Sequence, residues 1–243
     1  MNRRLVLICT LALQVVASAM LADTPPPSVD SVLEQYIKAA GGKVAIDQIH
    51  SREVQAREHR GPKLVYLWLK PDKVLLEQDK QKTGYDGGSG WILTKKKKLM
   101  RLPKGAQRPL EQDANPLRYV HLKTLYSEIN PAPPETIDSR KMDVLVAPNE
   151  LGVTKFYFDA ATHLLARIDE IGETSAYYKH GTDFLDYQNV DGIQFPFRIV
   201  HRSTEPGSRD QEIRVSKVLQ NIEIKPTIFQ KPSGVAVTLG GKR

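Results

Sequence analysis

Cysteine is nearly absent from this 243-residue chain: Cys9 is the single thiol, and it lies inside the apolar run Leu5 to Val16. A chain cleaved beyond that run keeps no thiol, so neither a disulfide framework nor thiolate-bound zinc can hold the fold. The bulky pair Leu7 and Ile8 ahead of Cys9 is also unlike a lipid-attachment site. The six histidines, His50, His59, His121, His163, His180 and His201, show neither helical i,i+4 pairing nor the acidic neighbours that metal sites favour. After the N-terminal segment no apolar run is long enough to read as a bilayer span.

Reaction motifs are equally scarce. Ser89 sits among Gly87, Gly88 and Gly90, but Trp91 stands where a nucleophile elbow needs its last glycine. The same glycines lack the lysine and spacing of a phosphate loop. Asp169 and Glu170 are adjacent on an expected strand and point to opposite faces, poor geometry for an acid and base sharing a substrate. No catalytic residue, metal ligand or cofactor is assigned, and the chain reads as a non-enzyme. Nor is there a strong charge excess. The formal net charge is +7, and loss of Arg3 and Arg4 leaves 33 basic against 28 acidic residues, or +5. An exported chain of that charge meets anionic lipid and cell-wall surfaces rather than nucleic acid.

What is present begins with an export signal. Arg3 and Arg4 precede the apolar run, and Ala17, Ser18 and Ala19 offer small residues for cleavage. Residues 1–22 read as a leader, 23–28 as a spacer, 29–232 as one domain and 233–243 as a tail, either an extra strand or loose. The expected location is periplasmic or otherwise exported. Val29, Leu33, Tyr36, Ile37 and Ala40 recur at helical spacing, with Ser31 and Glu34 as a capping box and Gly41-Gly42 as the stop. A second helix is expected from Asn115-Pro116 through Leu117, Val120, Thr124 and Leu125 to Ile129, ended by the prolines after Asn130.

Everything else reads as strands. Leu64 to Leu69 is apolar on both faces and needs cover on each. Lys70-Pro71-Asp72-Lys73 turns it back, and the glycine-rich reversal from Tyr85 delivers Trp91 onto a further strand. In the second half strands are expected at residues 141–147, 153–158, 164–171, 176–187, 193–203 and 211–223, with Asp159 to Thr162 and Asp191-Gly192 as turns. The total is roughly eleven strands, suited to a strongly curved sheet.

Several segments, in order, resemble the superfamily of the periplasmic lipoprotein carriers LolA and LolB. These are LKPDKVLLE followed by YDGGSGW, together with VLEQYIKAAGGKVAIDQIHS at the start and, further along, YFDAATHLLARID, DFLDYQNVDGIQFPFRI and IFQKP. The last four are similar to exported relatives described as outer membrane lipoprotein-sorting proteins. The resemblance implies a mainly β fold: an unclosed, strongly curved antiparallel barrel, two helices over its concave face, and an apolar cavity that accepts acyl chains. It implies a carrier or binder of a lipid or lipoprotein acyl group. The alternative is an envelope sensor or protein-interaction module with the same fold and no cargo. Tyr66, Trp68, Trp91, Phe156, Phe158, Phe195 and Phe197 are the aromatic candidates for lining such a cavity, the alternative for each being ordinary core. Lys95, Lys96, Lys97 and Lys98 read either as a solvated hairpin tip or as a docking point for anionic lipid headgroups, the peripheral membrane contact of such a carrier.

Overall fold

The computed structural model describes residues 25–149, 152–172, 179–204, 207–233 and 237–239. The expected leader, Cys9 included, lies outside them, as does most of the tail. Helix α1, Val29–Ala39, is capped by Ser28, whose side-chain oxygen accepts the N–H of Ser31 at 3.2 Å. The cap is thus Ser28 rather than the expected pair Ser31 and Glu34, because Ser28 already has the extended backbone an N-cap needs. The helix ends on Gly41, at φ 131°, where a Cβ would stand 2.4 Å from the carbonyl oxygen of Gly192. Only glycine fits that approach, and the Ala40 carbonyl next to it accepts the N–H of Gln194 at 3.0 Å. A short helix α2, Lys43–Asp47, follows.

The strands then run as two meanders. The first comprises β1 (Ser51–Glu58), β2 (Lys63–Leu69), β3 (Lys73–Gln78), β4 (Gln81–Tyr85), β5 (Gly90–Leu93) and β6 (Leu99–Arg101). A crossing segment carries helix α3 (Arg108–Asp113), a 3-10 turn (Arg118–His121) and a single helical turn, α4 (Leu122–Leu125). The second meander comprises β7 (Asn130–Ile137), β8 (Arg140–Asn149), β9 (Gly152–Asp159), β10 (Leu165–Gly172), β11 (Lys179–Val190), β12 (Ile193–Ser203) and β13 (Gln211–Gln220). A last strand, β14 (Val237–Leu239), adds to the edge.

All belong to one 14-stranded sheet in the order β14-β6-β5-β4-β3-β2-β1-β13-β12-β11-β10-β9-β8-β7. Strand β13 returns beside β1, with Arg52 opposite Gln220 and Glu58 opposite Ile213, and so joins the two halves. Among the described residues every pairing is antiparallel except that of β14 with β6. The strand count exceeds the expected eleven partly because β7 contains Pro131, Pro133 and Pro134, which sequence reasoning takes as a helix stop. It is an edge strand with a bulge, where missing N–H donors do no harm.

Two further expectations need correction. The second helix is not continuous over residues 115–129. Leu117, Tyr119, Val120, Leu122 and Tyr126 all pack on the same core, and residues two apart cannot share one face of a regular α-helix. The segment therefore breaks into short turns. The sheet is open, as expected, but it is not the strongly curled barrel of the sequence reading. Its two faces explain why. On one face α1, α2 and α4 cover Trp68, Leu145, Phe156, Phe158 and Leu165. The other face has its own clusters, around Leu75, Trp91, Leu99 and Phe229 and around Met142, Val144 and Tyr157. A sheet with a core on each side has less to gain by rolling one face inward.

Candidate functional site

Where the two meanders join, the sheet holds a cavity of about 560 Å³ on its helix-bearing face. Side chains alternate along a strand, so Arg52, Val54, Ala56 and Glu58 of β1 all face it. Its floor continues through Leu64 and Tyr66 of β2 and through Ile213 and Val215 of β13. The roof is the crossing segment, from Asp113 to Val120, with Tyr36 and Ala40 of α1 over one end.

The middle is apolar and the two ends are not. At one end Glu58 accepts hydrogen bonds from the side-chain amides of Gln78, at 2.9 Å, and Gln211, at 2.7 Å. Gln211 and His201 are exposed there, and this end is the mouth. At the other end Arg52 is 3 % exposed, with its guanidinium 5.0 Å from the centre of the Phe195 ring. Its Nη2 donates to Gln220 Oε1 at 2.7 Å, and Gln220 in turn donates to the Val190 carbonyl at 2.7 Å. Burial pushes the guanidinium down to about 10, which leaves it charged at neutral pH. Burial also drives the hydroxyls of Tyr36 and Tyr66 up, so both remain neutral. The Tyr66 hydroxyl donates to the Asp113 carbonyl and ties the roof to the floor.

Arg118 holds the roof in shape. It donates to the Gln112 carbonyl at 2.7 Å and to the Tyr119 hydroxyl at 2.8 Å, and lies 4.6 Å from the Tyr119 ring centre. Arg118 and Tyr119 also wall a second space, of about 760 Å³, between the crossing segment and β9 to β11. The crossing segment thus lies between the two.

The expected aromatic residues divide among several places. Tyr66 and Phe195 line the first cavity. Phe197 stacks edge-on against Phe195 at 6.3 Å and packs on Val54, Val215 and Val218. Trp68 is buried beneath the crossing segment, its indole N–H donating to the Ala114 carbonyl at 2.7 Å. Phe156 and Phe158 are buried in the core under the helices, and Phe156 also reaches the second space. Trp91 does not belong with them, because its strand parity puts it on the opposite face. There it packs on Phe229 and donates to the Phe229 carbonyl at 2.9 Å, with Gly84 leaving room for its ring. Lys95 to Lys98 are exposed at the β5–β6 hairpin tip, with Lys97 at φ 58° and Lys95 paired to Asp79 at 3.0 Å. Sequence reasoning missed Arg52, Glu58 and Tyr119. For Arg52 and Glu58 the signal was the odd one of charged residues on a strand whose alternate positions are valine and alanine; Tyr119, in the crossing segment, carried none.

No protein-family model matches the chain, and no curated protein matches it by sequence. Solved structures do match. A domain from Vibrio parahaemolyticus described as an outer membrane lipoprotein-sorting protein domain superposes with a TM-score of 0.58 at 12 % identity, over 83 % of this chain and 97 % of that one. A LolA superfamily protein from Nitrosomonas europaea gives 0.57 at 12 % identity, over 84 % and 98 %. A DUF1329 family protein from Desulfovibrio piger gives 0.60 at 14 % identity, over 83 % and 97 %. With its open antiparallel sheet and short covering helices, the chain has the fold of the LolA superfamily.

Proposed function

We propose that this protein is an exported binder of lipid that shelters an acyl chain in the cavity at the β1–β13 junction and performs no chemistry on it. One observation carries the reading: a hollow of about 560 Å³, apolar through its middle and polar at its ends, within the range of roughly 300–1,000 Å³ usual for small-ligand sites. Its position supports the same view, since it lies where the two meanders join, between a sheet face and a separate crossing segment that roofs it. The lipoprotein-sorting description of the Vibrio domain favours a lipid or lipid-modified cargo, delivered or received at a membrane.

The mouth end also suits a membrane. The hairpin tips there carry exposed Arg60 between β1 and β2 and Lys63 at the start of β2, Lys80 between β3 and β4, and Lys95 to Lys98 between β5 and β6. Such a basic rim favours peripheral contact with anionic headgroups, placing the opening against the source of cargo.

The test is to purify the mature chain from its export compartment, extract it with organic solvent and analyse the extract by mass spectrometry. Bound lipid near one equivalent, and saturable uptake of a fluorescent acyl probe, are expected. A protein that brings no lipid and takes up no probe overturns the proposal.

A further inference from the structure

The deep end of the cavity contains a charge that no carboxylate among the described residues neutralises. Elsewhere this protein gives its partly buried arginines carboxylate partners. Arg167 and Arg202 both reach Asp183, at 2.7 and 2.6 Å, and Arg198 reaches Asp186 at 2.8 Å. Arg52 is more buried than any of these, yet among the described residues no carboxylate pairs with it. Its Nε–H has no acceptor there, and the ionisable groups that act on it are Tyr66 and Tyr36, which burial keeps neutral. An unpaired buried guanidinium is costly, and such a group is retained where an anion completes it.

We propose that Arg52 receives the anionic headgroup of a single-chain amphiphile, with the tail running out along β1 toward Glu58. This deepens the reading of the cavity as an acyl site and rests on it. The geometry fixes the direction. Arg52 and Glu58 are six positions apart, about 20 Å along a strand, the reach of a long acyl chain, and Val54 and Ala56 between them offer only apolar surface. Glu58 at the mouth repels an anion there, whereas Arg52 attracts one at depth. Gln220 holds the guanidinium from one side and Phe195 supports its face, so the group is positioned before a ligand arrives. A lipid that enters tail first and leaves its headgroup outside does not use this site.

Calorimetric titration of the mature protein with palmitate, its methyl ester and hexadecyl phosphate tests the proposal, repeated on Arg52→Gln and Arg52→Lys. Palmitate is expected to bind at least about 10-fold more tightly than the ester, the size of effect seen for hydrogen bonds to charged groups. Arg52→Gln abolishes that preference, bringing the acid-to-ester affinity ratio to about one, and Arg52→Lys retains part of it. Hexadecyl phosphate at or above palmitate affinity identifies a phosphate headgroup, and weaker binding identifies a carboxylate. If the ester binds as tightly as the acid, or Arg52→Gln leaves the palmitate preference intact, the headgroup assignment is wrong while the acyl site stands. If none of the three binds, the acyl reading itself fails. Should Arg52→Gln not fold, the acid-to-ester ratio of the unaltered protein and Arg52→Lys decide the matter.

Discussion

Replacing Ala56 by phenylalanine tests whether the cavity is room or merely loose core. Ala56 faces the hollow between Arg52 and Glu58, nearer the latter, opposite Leu64 on one side and Val215 on the other. A ring there lies across the path of any chain threaded along β1 and displaces at least three methylenes. At about 0.8 kcal/mol each, the loss is about 2.4 kcal/mol, or roughly 50-fold in Kd. Stability moves the other way. The ring gains partial burial of about 1 kcal/mol, which in a domain of this size raises Tm by about 2–4 °C. In a filled core the same substitution overpacks and costs about 1–3 kcal/mol. Titration with a fluorescent acyl probe and a thermal melt on the same preparation give both signs. Weaker binding with an equal or higher Tm supports the hollow. A Tm lowered by several degrees, or binding within threefold of the original, refutes the reasoning.

Phe229 is fully buried against Leu75, Trp91 and Leu99, so Phe229→Ala is expected to cost about 3–5 kcal/mol in a denaturant titration without changing acyl affinity; a loss of affinity at retained fold would mean the two faces are coupled. Burial opposes ionisation of Asp159, but the N–H groups of Thr162 and Ala161 and the Arg140 guanidinium outweigh it and hold the carboxyl below its ordinary value. The stability this contributes is complete above the unfolded value of about 4 and is lost as pH falls through the lower folded value. Melts of Asp159→Asn against the original should therefore differ most at neutral pH and converge in acid; a gap constant from neutral to acid pH contradicts the assignment. Replacing Lys95 to Lys98 with glutamine should weaken sedimentation with anionic vesicles at least tenfold at low salt, at about 1 kcal/mol per lysine near the surface, and unchanged sedimentation removes the rim from the mechanism.

Much of the fold was legible because turn chemistry is local. Asp191 and Gly192, at φ 49° and 85°, make the tight β11–β12 reversal that their types announce, and the Asp86 carboxylate accepts the N–H groups of Gly88 and Ser89 between β4 and β5. The strand spanning Ile193–Ser203 has the bounds its alternation gives. What was not legible depends on neighbours. The prolines of β7 are tolerable only because that strand lies at an edge, which strand order alone decides. Trp91 and Trp68 read alike in sequence, yet their parities relative to the paired strands β2 to β5 send them to opposite faces.

The site was hidden for the same reason, in sharper form. Strand β1 reads SREVQARE, with Arg52, Glu53, Arg57 and Glu58 among its eight residues, a composition that in isolation describes a solvated edge. It lies instead in the interior of the sheet, because the second meander returns over the whole chain to pair β13 with it. That long-range pairing puts Arg52 and Glu58 on the covered face, one deep and one at the mouth, and leaves Arg57 exposed on the other. A central strand built only for stability would carry valine or isoleucine at both places, since burying an unpaired guanidinium opposes folding. Arg52 and Glu58 therefore mark the axis of the cavity: opposite charges at its two ends, an apolar passage between them, and a direction for whatever lies inside.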